Sequence, residues 1–452
     1  MSIGKQLAGF LLQTRYEDLP AEALNNARVI LASTFASAAA GASILSARIA
    51  RDLAREKGGK PEASIWFDGG DRLPVTEAAR VNAMLSDAAA SDDSDLRNIA
   101  HIGTIITAVS LAVAEKTGAN GKDVLAAMVT GYEAGGRMGD ALTPGLGARG
   151  FHACIITTFG GVLAGARLLG LTPDQTGEAF ALAATSMGGL GTSTNSLARE
   201  YHAGASTLSA LNAVLHAQRG YTADQDGLLE APRGFLQTFA GEIRQDALLS
   251  GLGESWDITT DLTIKIWPGA TPFAAVVEAA MNAAREGNVD SEAVERIVVA
   301  GPRLRTQIGH KHPKDLVEAI HSLPYFIASA VVDKDFSWQH ATPQKYLDPG
   351  IGRIQDLVEV DPDPPGGFGH YTWGWGATVT IKMKDGAEHS SVVNAPRGSG
   401  PRGIDWADVE HKFRTLMPEA GVESARAEEI LGTVHRFDEL SNVDGLIRLL
   451  KA

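Results

Sequence analysis

The stretch FHACIITTFGGVLAGARLLG, residues 151–170, shows what kind of core this chain builds. From Phe159 to Leu169 its apolar residues cover nearly every side of a helix, which is typical of a helix buried on most sides. Its small residues would let neighbouring helix backbones come close; they are Gly160, Gly161, Ala164, Gly165 and Ala166. We therefore predict a core of helices packed on helices around this segment.

Helix-length blocks rich in Ala, Leu and Gly continue on both sides of that stretch, up to about residue 250. One block opens after Pro20 and ends at Gly41, as expected for a proline at a helix start and a glycine at a helix end. The other predicted helices span 76–90, 101–116, 121–140, 152–169, 173–187 and 203–219. A β-like patch at 63–75 interrupts them.

The pattern changes after about residue 255. WDITTDLTIKIW (256–267) and VERIVVAG (294–301) alternate or run apolar as strands do. The segment 376–396 predicts a hairpin that turns at Asp385-Gly386. Candidate helices lie among these strands at 271–285 and 323–333, and a helical tail begins at Trp406.

These patterns predict a mostly α chain with an α+β second domain. We place a large helical domain at residues 1–258, completed by 405–452, and the α+β domain at 259–404. A chain of 452 residues has room for two such units.

Composition excludes several classes of protein. The chain has one cysteine, Cys154, so it can build neither an intramolecular disulfide framework nor a cysteine-held iron–sulfur cluster. A formal net charge of -14 opposes a broad nucleic-acid surface, although it does not oppose a small anionic ligand. No apolar run is long enough for a membrane helix, and residues 1–20 do not resemble a secretory leader, so we expect a cytoplasmic protein with no membrane partner.

The glycine and histidine motifs do not predict a cofactor or a metal. Gly145, Gly147 and Gly150 match G-x-G-x-x-G, but no strand precedes them, so a flexible loop is the better interpretation. His310 and His312 form a loop pair without evident carboxylate partners, and no histidine pair has the spacing of a helical zinc site. We therefore expect no cofactor and no metal.

Several titratable residues fall where loops run into predicted helices. His101 follows the polar run 91–95, His152 follows the glycine-rich loop, and Arg199 and His202 precede the block at 203. A helix N-terminus disfavours an imidazolium, so such a histidine tends to stay neutral, as a general base must. Each could equally be a capping or packing residue, and the sequence does not show that they meet in space.

Five blocks of the chain, in order, resemble the MmgE/PrpD family. They are GFHACIITTFGGVLAGARLLGL, LAREYHAGASTLSALNAVLHAQRGYT, KIWPGATPFAAVVEAA, EAIHSLPYFIASAVV and APRGSGPRGIDWADVEHKF. The family includes 2-methylcitrate dehydratase, cis-aconitate decarboxylase and iminodisuccinate epimerase. The resemblance implies a helical domain built from both chain ends, a smaller α+β lid domain, a homodimer and a reaction that needs no metal.

The resemblance also implies roles for particular residues. His101, His152 and Tyr325 match catalytic positions; Asp93, Ser94, Arg199, His202 and Lys265 match positions that bind substrate. Without the resemblance, the sequence predicts that Lys265 lies on a strand with its charged end reaching solvent and that Tyr325 lies in the core.

Two departures from the family pattern bear on the chemistry. Arg199 stands where members often have Lys; arginine grips a carboxylate but cannot donate a proton at ordinary pH. Ala90 stands where an acidic residue is expected, and Ile102-Gly103 follows His101 in place of the usual Pro-Ser.

The expected activity is that of a lyase, more specifically a hydro-lyase acting on a small di- or tricarboxylate. It would abstract a proton α to a carboxylate and expel water, with His152 or His101 as the base and Tyr325 or the other histidine as the acid. The alternatives are an epimerase or a decarboxylase that uses the same site, and a family member that only binds anions.

Overall fold

The structure is a computed structural model that describes residues 2–70, 72–223, 228–304, 309–371 and 374–451. The chain divides into two compact units: Met1–Ile264 together with Trp406–Ala452, and Lys265–Asp405. Helices dominate and the sheets are small, which confirms the predicted class of a mostly α protein with a smaller α+β part.

The first unit begins with a long series of helices. They are α1 (Ile3–Gln13), α2 (Ala21–Gly41), α3 (Leu45–Lys57), α4 (Val75–Ala88), α5 (Ile102–Thr117), α6 (Gly121–Leu142), α7 (Gly145–Ala148), α8 (Cys154–Leu168), α9 (Pro173–Thr185), α10 (Ala198–Gln218), α11 (Phe235–Ala240), α12 (Gln245–Leu249) and α13 (Asp257–Thr260). Helix α2 starts directly after Pro20, as predicted.

Helix α8 lies in the core of this unit and is buried over most of its length. Gly160 on α8 faces Gly131 on α6, and a Cβ on either glycine would lie 2.9 Å from the carbonyl oxygen of the other. These two helices can therefore touch backbone to backbone only because both positions are glycine. The predicted close approach through small residues is confirmed at this pair.

A short two-stranded ladder joins distant parts of the first unit. Strand β1 (Asp93–Asp95) pairs antiparallel with β2 (Leu262–Ile264), with Ser94 opposite Thr263. The ladder fixes the polar segment 91–95 beside the start of α5.

Three local predictions need correction. The stretch 256–267, predicted as a strand, forms α13 before β2, because the Asp257 amide donates a 2.8 Å hydrogen bond to the Glu133 carboxylate and begins a helical turn there. The patch 63–75 forms an isolated bridge between Ala63 and Leu73. The glycine segment expected to be a loop holds the short helix α7.

The second unit is an α+β structure. Its helices are α14 (Ala274–Glu286), α15 (Leu316–Ile320), α16 (Leu323–Val332), α17 (Pro343–Tyr346) and α18 (Pro349–Asp356); its strands are β3 (Val294–Ala300), β4 (Val358–Val360), β5 (Ala377–Met383) and β6 (Glu388–Val393). The strand order is β4-β3-β5-β6, with β3 and β4 parallel and the other pairs antiparallel. The predicted β5–β6 hairpin is confirmed, and α14 and α16 build the core with β3 and β5.

The chain then returns to the first unit with α19 (Trp406–Leu416), α20 (Ser424–His435) and α21 (Asp444–Leu449). Val409, Phe413 and Leu416 of α19 are buried, and this helix packs against α2. Among the described residues, no single helix is both long and apolar enough to cross a membrane.

Candidate active site

The start of α5 is built around the Asp93 carboxylate. Its two oxygens accept hydrogen bonds from the amides of Gly103 (2.8 Å) and Thr104 (3.0 Å), which are free donors of the first helical turn. Burial, followed by the nearby Asp92 carboxylate, raises the pKa of Asp93 to about 6. Asp93 therefore holds the helix end in place, and Ser94 is buried beside it in β1. That these two residues bind substrate stays a prediction.

His101 stands immediately before α5, as predicted, and its ring is held from one side. Its Nδ1 lies 2.9 Å from Asp92 Oδ2 and 2.7 Å from the Asp93 carbonyl oxygen. Both partners are acceptors, so we assign the proton to Nδ1. The Thr104 hydroxyl donates to the same Asp92 oxygen at 2.9 Å and fixes that carboxylate. In the neutral ring, Nε2 is then the basic nitrogen.

His152 is held in the opposite way. Its Nδ1 accepts a 3.1 Å hydrogen bond from the Cys154 amide at the start of α8, so Nδ1 carries no proton and Nε2 does. Burial, with a further contribution from His202, lowers the pKa of His152 to about 3. His152 is therefore a neutral hydrogen-bond donor through Nε2 at physiological pH.

His202 lies against His152, with the ring centroids 4.6 Å apart. Burial lowers the pKa of His202, and its Nδ1 is a buried atom with no hydrogen-bond partner among the described residues. Cys154 lies beside both rings, and burial raises the pKa of its thiol to about 12, so it is protonated and a poor nucleophile at neutral pH. One donor atom from each of these three residues lies within 4.8 Å of the other two.

Helix α10 begins at Ala198, so Arg199 and His202 lie inside its first turns. The prediction of a helix starting near residue 203 was wrong by more than one turn. The buried Arg199 guanidinium faces the C-terminal end of α4, where it donates to the carbonyl oxygens of Asp87 (2.7 Å) and Ala88 (3.3 Å). It also lies 3.3 Å from Glu200 Oε1; all three contacts use Nη2, and the buried Nε has no hydrogen-bond partner among the described residues.

Asp87 lies near all of these groups, and no local sequence pattern identifies it. Its Oδ2 lies 3.6 Å from Arg199 Nε. A carboxylate oxygen of Asp87, one of Asp92 and a ring nitrogen of His101 lie within 4.8 Å of one another. The charge of Asp87 also acts on the pKa of His152, where it opposes the effect of burial. The three predicted helix starts therefore do converge, around a buried carboxylate at the end of α4.

Lys412 of α19 is a second buried polar residue near the site that was not predicted from the sequence. Its buried ammonium group donates to the Ser33 hydroxyl at 2.7 Å and to the Ser91 carbonyl. The Ser33 hydroxyl in turn lies 3.4 Å from the Asp92 carbonyl oxygen. Lys412 follows Val409 by three positions and so lies on the apolar face of α19. A lone lysine on such a face is the sequence signal that could have predicted a buried cation here.

The remaining two predicted residues belong to the second unit. Lys265 is its first residue and is buried. Tyr325 lies on α16 in the core of that unit, and its hydroxyl donates a 2.6 Å hydrogen bond to the His340 carbonyl. Burial raises the pKa of the phenol. The structure thus shows a core tyrosine, and its role as an acid stays a prediction.

A groove of about 590 Å³ runs along another face of α10. Its lining includes Lys57 and Arg80, both of which lie within 3 Å of Glu77, together with Tyr201 and His216. His101, His152 and His202 do not line it, so we do not place the chemistry there.

Fold and site together define a class: a helical unit that gathers imidazoles and carboxylates at buried helix ends, with an α+β unit inserted before its last helices. The chain belongs to the MmgE/PrpD family, because the family's N-terminal domain matches residues 5–246 and its C-terminal domain matches residues 267–436.

Named relatives are similar over most of their length. The cis-aconitate decarboxylase of Aspergillus terreus is 25% identical over 464 residues, covering 96% of this chain and 93% of the relative. The cis-aconitate decarboxylase of Mus musculus is 23% identical over 403 residues, covering 86% and 81%. The enzyme of that name from Homo sapiens is 22% identical over 400 residues, covering 86% and 82%.

Proposed function

We propose that this protein is a lyase that acts on a small di- or tricarboxylate by removing a proton α to a carboxylate. The observation that carries this proposal is the opposite hydrogen bonding of two imidazoles: His101 Nδ1 faces two acceptors, whereas His152 Nδ1 accepts from an amide, which assigns the protons to Nδ1 and Nε2, respectively. One ring is therefore a base and the other a donor. Family membership and the names of the relatives support a carboxylate substrate.

In the proposed reaction, His101 Nε2 takes the α-proton while Asp92 steadies the imidazolium that forms. The electrons move to the substrate carboxylate, which becomes enolate-like. The neutral His152 donates a hydrogen bond through Nε2 to this developing negative charge. The β-hydroxyl group then leaves with the proton held by His101, so that one water is released and the base is regenerated.

Arg199 and Lys265 are both expected from the resemblance to bind substrate carboxylates, but we propose a different role for Arg199. Because Arg199 already donates to main-chain carbonyls, we propose that it keeps Asp87 and the end of α4 in place and adds positive charge to the cluster. A direct grip on a substrate carboxylate through Nη2 would require Arg199 to give up these bonds, whereas Nε has no hydrogen-bond partner among the described residues. Lys265 as a carboxylate ligand rests on the family resemblance, and Lys265→Met tests it through KM.

Decarboxylation is the second candidate, because the relatives from Aspergillus terreus and Mus musculus are named cis-aconitate decarboxylases. In that reaction a carbon–carbon bond breaks, CO₂ leaves, and the carbanion takes a proton. His101 would then start protonated and serve as the acid. The same residues would thus run the proton transfer in the opposite direction.

Proton NMR in D₂O of the purified chain with citrate-like, aconitate-like and amino-dicarboxylate substrates separates these reactions. An alkene formed with loss of water supports dehydration, and release of CO₂ supports decarboxylation. Deuterium uptake without elimination supports an epimerase. Thermal stabilisation by a dicarboxylate without any turnover or exchange would overturn the lyase proposal in favour of a binding protein.

Variants test the two histidines. We expect His101→Gln and His152→Ala each to lower kcat by ~10² or more, because proton transfer and charge stabilisation contribute effects of this size. His216→Gln is the control, since His216 is exposed on the same helix α10 as His202 and lies outside the cluster. Full turnover in folded His101→Gln would exclude this residue as the base.

A further inference from the structure

Two imidazoles and a thiol come together from parts of the chain that the sequence keeps apart. His152 and Cys154 lie at the start of α8, and His202 lies on α10. One donor atom from each lies within 4.8 Å of the others. Zinc bonds of ~2.0–2.1 Å to nitrogen and ~2.3 Å to sulfur place tetrahedral ligands about 3.3–3.6 Å apart. Small side-chain movements would therefore close the set around one ion.

A glycine keeps side-chain atoms out of the space beside this cluster. Gly189 passes beside the cluster, where a Cβ would lie 2.7 Å from Cys154 Sγ and 3.5 Å from His202 Nε2. His202 Nδ1 is buried without a hydrogen-bond partner in the described part of the chain. The Ser193 hydroxyl lies 3.5 Å from His202 Nε2, a long hydrogen bond. The ring could therefore turn toward an ion at little cost in hydrogen bonds.

The neighbouring set of Asp87, Asp92 and His101 also has three donor atoms within 4.8 Å, but two of its groups already face each other and the third lies beside a cation. Asp92 Oδ2 accepts from Thr104 and faces His101 Nδ1, and Asp87 Oδ2, which has no hydrogen-bond partner among the described residues, lies 3.6 Å from Arg199 Nε. We therefore place no ion there.

We propose that His152, Cys154 and His202 form a binding site for a thiophilic divalent cation such as Zn²⁺, and that the bound ion inhibits the enzyme reversibly. Imidazole and thiolate ligands suit Zn²⁺ and disfavour Mg²⁺ and Ca²⁺, which prefer oxygen. On binding, the S–H bond of Cys154 breaks, its proton goes to solvent, and the sulfur binds the ion. His152 keeps its proton on Nε2 and binds through Nδ1, which gives up its hydrogen bond from the Cys154 amide. The inhibition rests on the proposed function, because the ion would occupy His152; the binding does not.

Binding is tested on the intact, chelator-treated protein by titration with Co²⁺ as a spectroscopic probe. We expect one equivalent to produce sulfur-to-cobalt charge-transfer absorption, which Zn²⁺ then displaces. Cys154→Ser should abolish this absorption. His202→Gln should weaken Zn²⁺ binding by about 100-fold or more, since even residues that only support metal ligands account for 10–100-fold. His216→Gln should bind as the wild type does.

The binding proposal is overturned if the wild type shows no charge-transfer band, or if Cys154→Ser and His202→Gln keep full affinity. X-ray absorption of the zinc-loaded wild type gives an answer that needs no variant: we expect one sulfur and two imidazoles around the ion. A zinc shell without sulfur would exclude the site.

Inhibition is measured separately, by adding Zn²⁺ during turnover. We expect activity to fall as the site fills and to return with a chelator. A filled site with unchanged turnover overturns the inhibitory role. A zinc-free protein without turnover overturns the proposed function and the inhibitory role with it, whereas the Co²⁺ titration still decides whether the ion binds.

Discussion

His152 shows how a single hydrogen bond decides the role of a residue. Its position near a helix start predicted a neutral ring, and the structure adds that the Cys154 amide occupies Nδ1. A neutral ring with Nδ1 occupied can donate through Nε2, but it cannot accept the substrate proton at Nδ1. The sequence left open which histidine is the base; this bond favours His101.

The protonation state of His152 can be measured directly. We expect ¹⁵N NMR to show the Nε2–H tautomer and a ring that stays neutral well below pH 5, because burial and His202 lower its pKa to about 3. His202→Gln should raise this pKa by removing the second contribution. A His152 ring that titrates near 6.5, the value of a free histidine, would contradict the lowered pKa, and a proton found on Nδ1 would contradict the donor role.

Glu200 should make stability depend on pH. Burial raises its pKa from 4.5 to about 7, so the folded state holds a proton that the unfolded chain has lost between these values. Its contribution to stability is therefore complete below pH 4.5 and is lost as the pH rises to about 7, with a slope of at most ~1.4 kcal/mol per pH unit. In urea unfolding from pH 4.5 to 8, stability should fall less steeply with pH in Glu200→Gln than in the wild type, since the raised pKa of Asp93 remains in both proteins. Equal slopes in both proteins would exclude Glu200 as its source.

At the scale of elements, the start of helix α5 depends on whether its first turn leaves space for the carboxylate that caps it. Gly103 leaves space for the Asp93 carboxylate: a Cβ at this position would lie 2.7 Å from that carboxylate. Gly103→Ala should push the carboxylate away from the free amides of α5 and reduce the free energy of unfolding by about 1–2 kcal/mol, the value of a lost helix cap. Chemical denaturation gives the measurement.

Two further variants identify the cause of the Gly103→Ala effect. Gly9→Ala in α1 has nothing within 4 Å of its new Cβ, so it should leave stability unchanged or raise it. In an Asp93→Ala background the Gly103→Ala change should cost little, because the clashing carboxylate is gone. An equal cost in both backgrounds would show that the clash with Asp93 is not the reason.

Element boundaries were predictable where the local signal is strong. Helix α5 begins right after His101, as expected, whereas α10 begins well before the predicted position because Ser196 Oγ accepts from the Ala198 amide and provides an earlier start. A serine two residues ahead of a helix is a weak signal in a segment that already holds several serines and threonines. The exact residue at which a helix begins can therefore depend on a single hydrogen bond that the sequence pattern does not reveal.

At the scale of the molecule, the fold class followed from periodicity alone, since buried helices and alternating strands differ in their apolar spacing. The site did not follow as fully. His101, His152 and Arg199 could be selected as helix-start residues, but their meeting point, Asp87, is a carboxylate in an alanine-rich segment with no local motif. Convergence is a property of the tertiary structure, and neither spacing nor composition encodes it.

Where the chain returns to the first unit, Lys412 makes a buried contact whose contribution to stability can be tested. Lys412 brings a buried cation from α19 to the Ser33 hydroxyl and the Ser91 carbonyl. Lys412→Met keeps the length of the side chain but removes these bonds, and hydrogen bonds to a charged group contribute ~1.5–3 kcal/mol. We expect a loss of about 2–3 kcal/mol in unfolding free energy and faster hydrogen exchange in α2 and residues 89–95. Strands β3 and β5 of the second unit should exchange as before, and the exposed control Lys60→Met should change stability by less than ~0.5 kcal/mol. Unchanged exchange in α2 would show that α19 is held to the first unit by its apolar face alone.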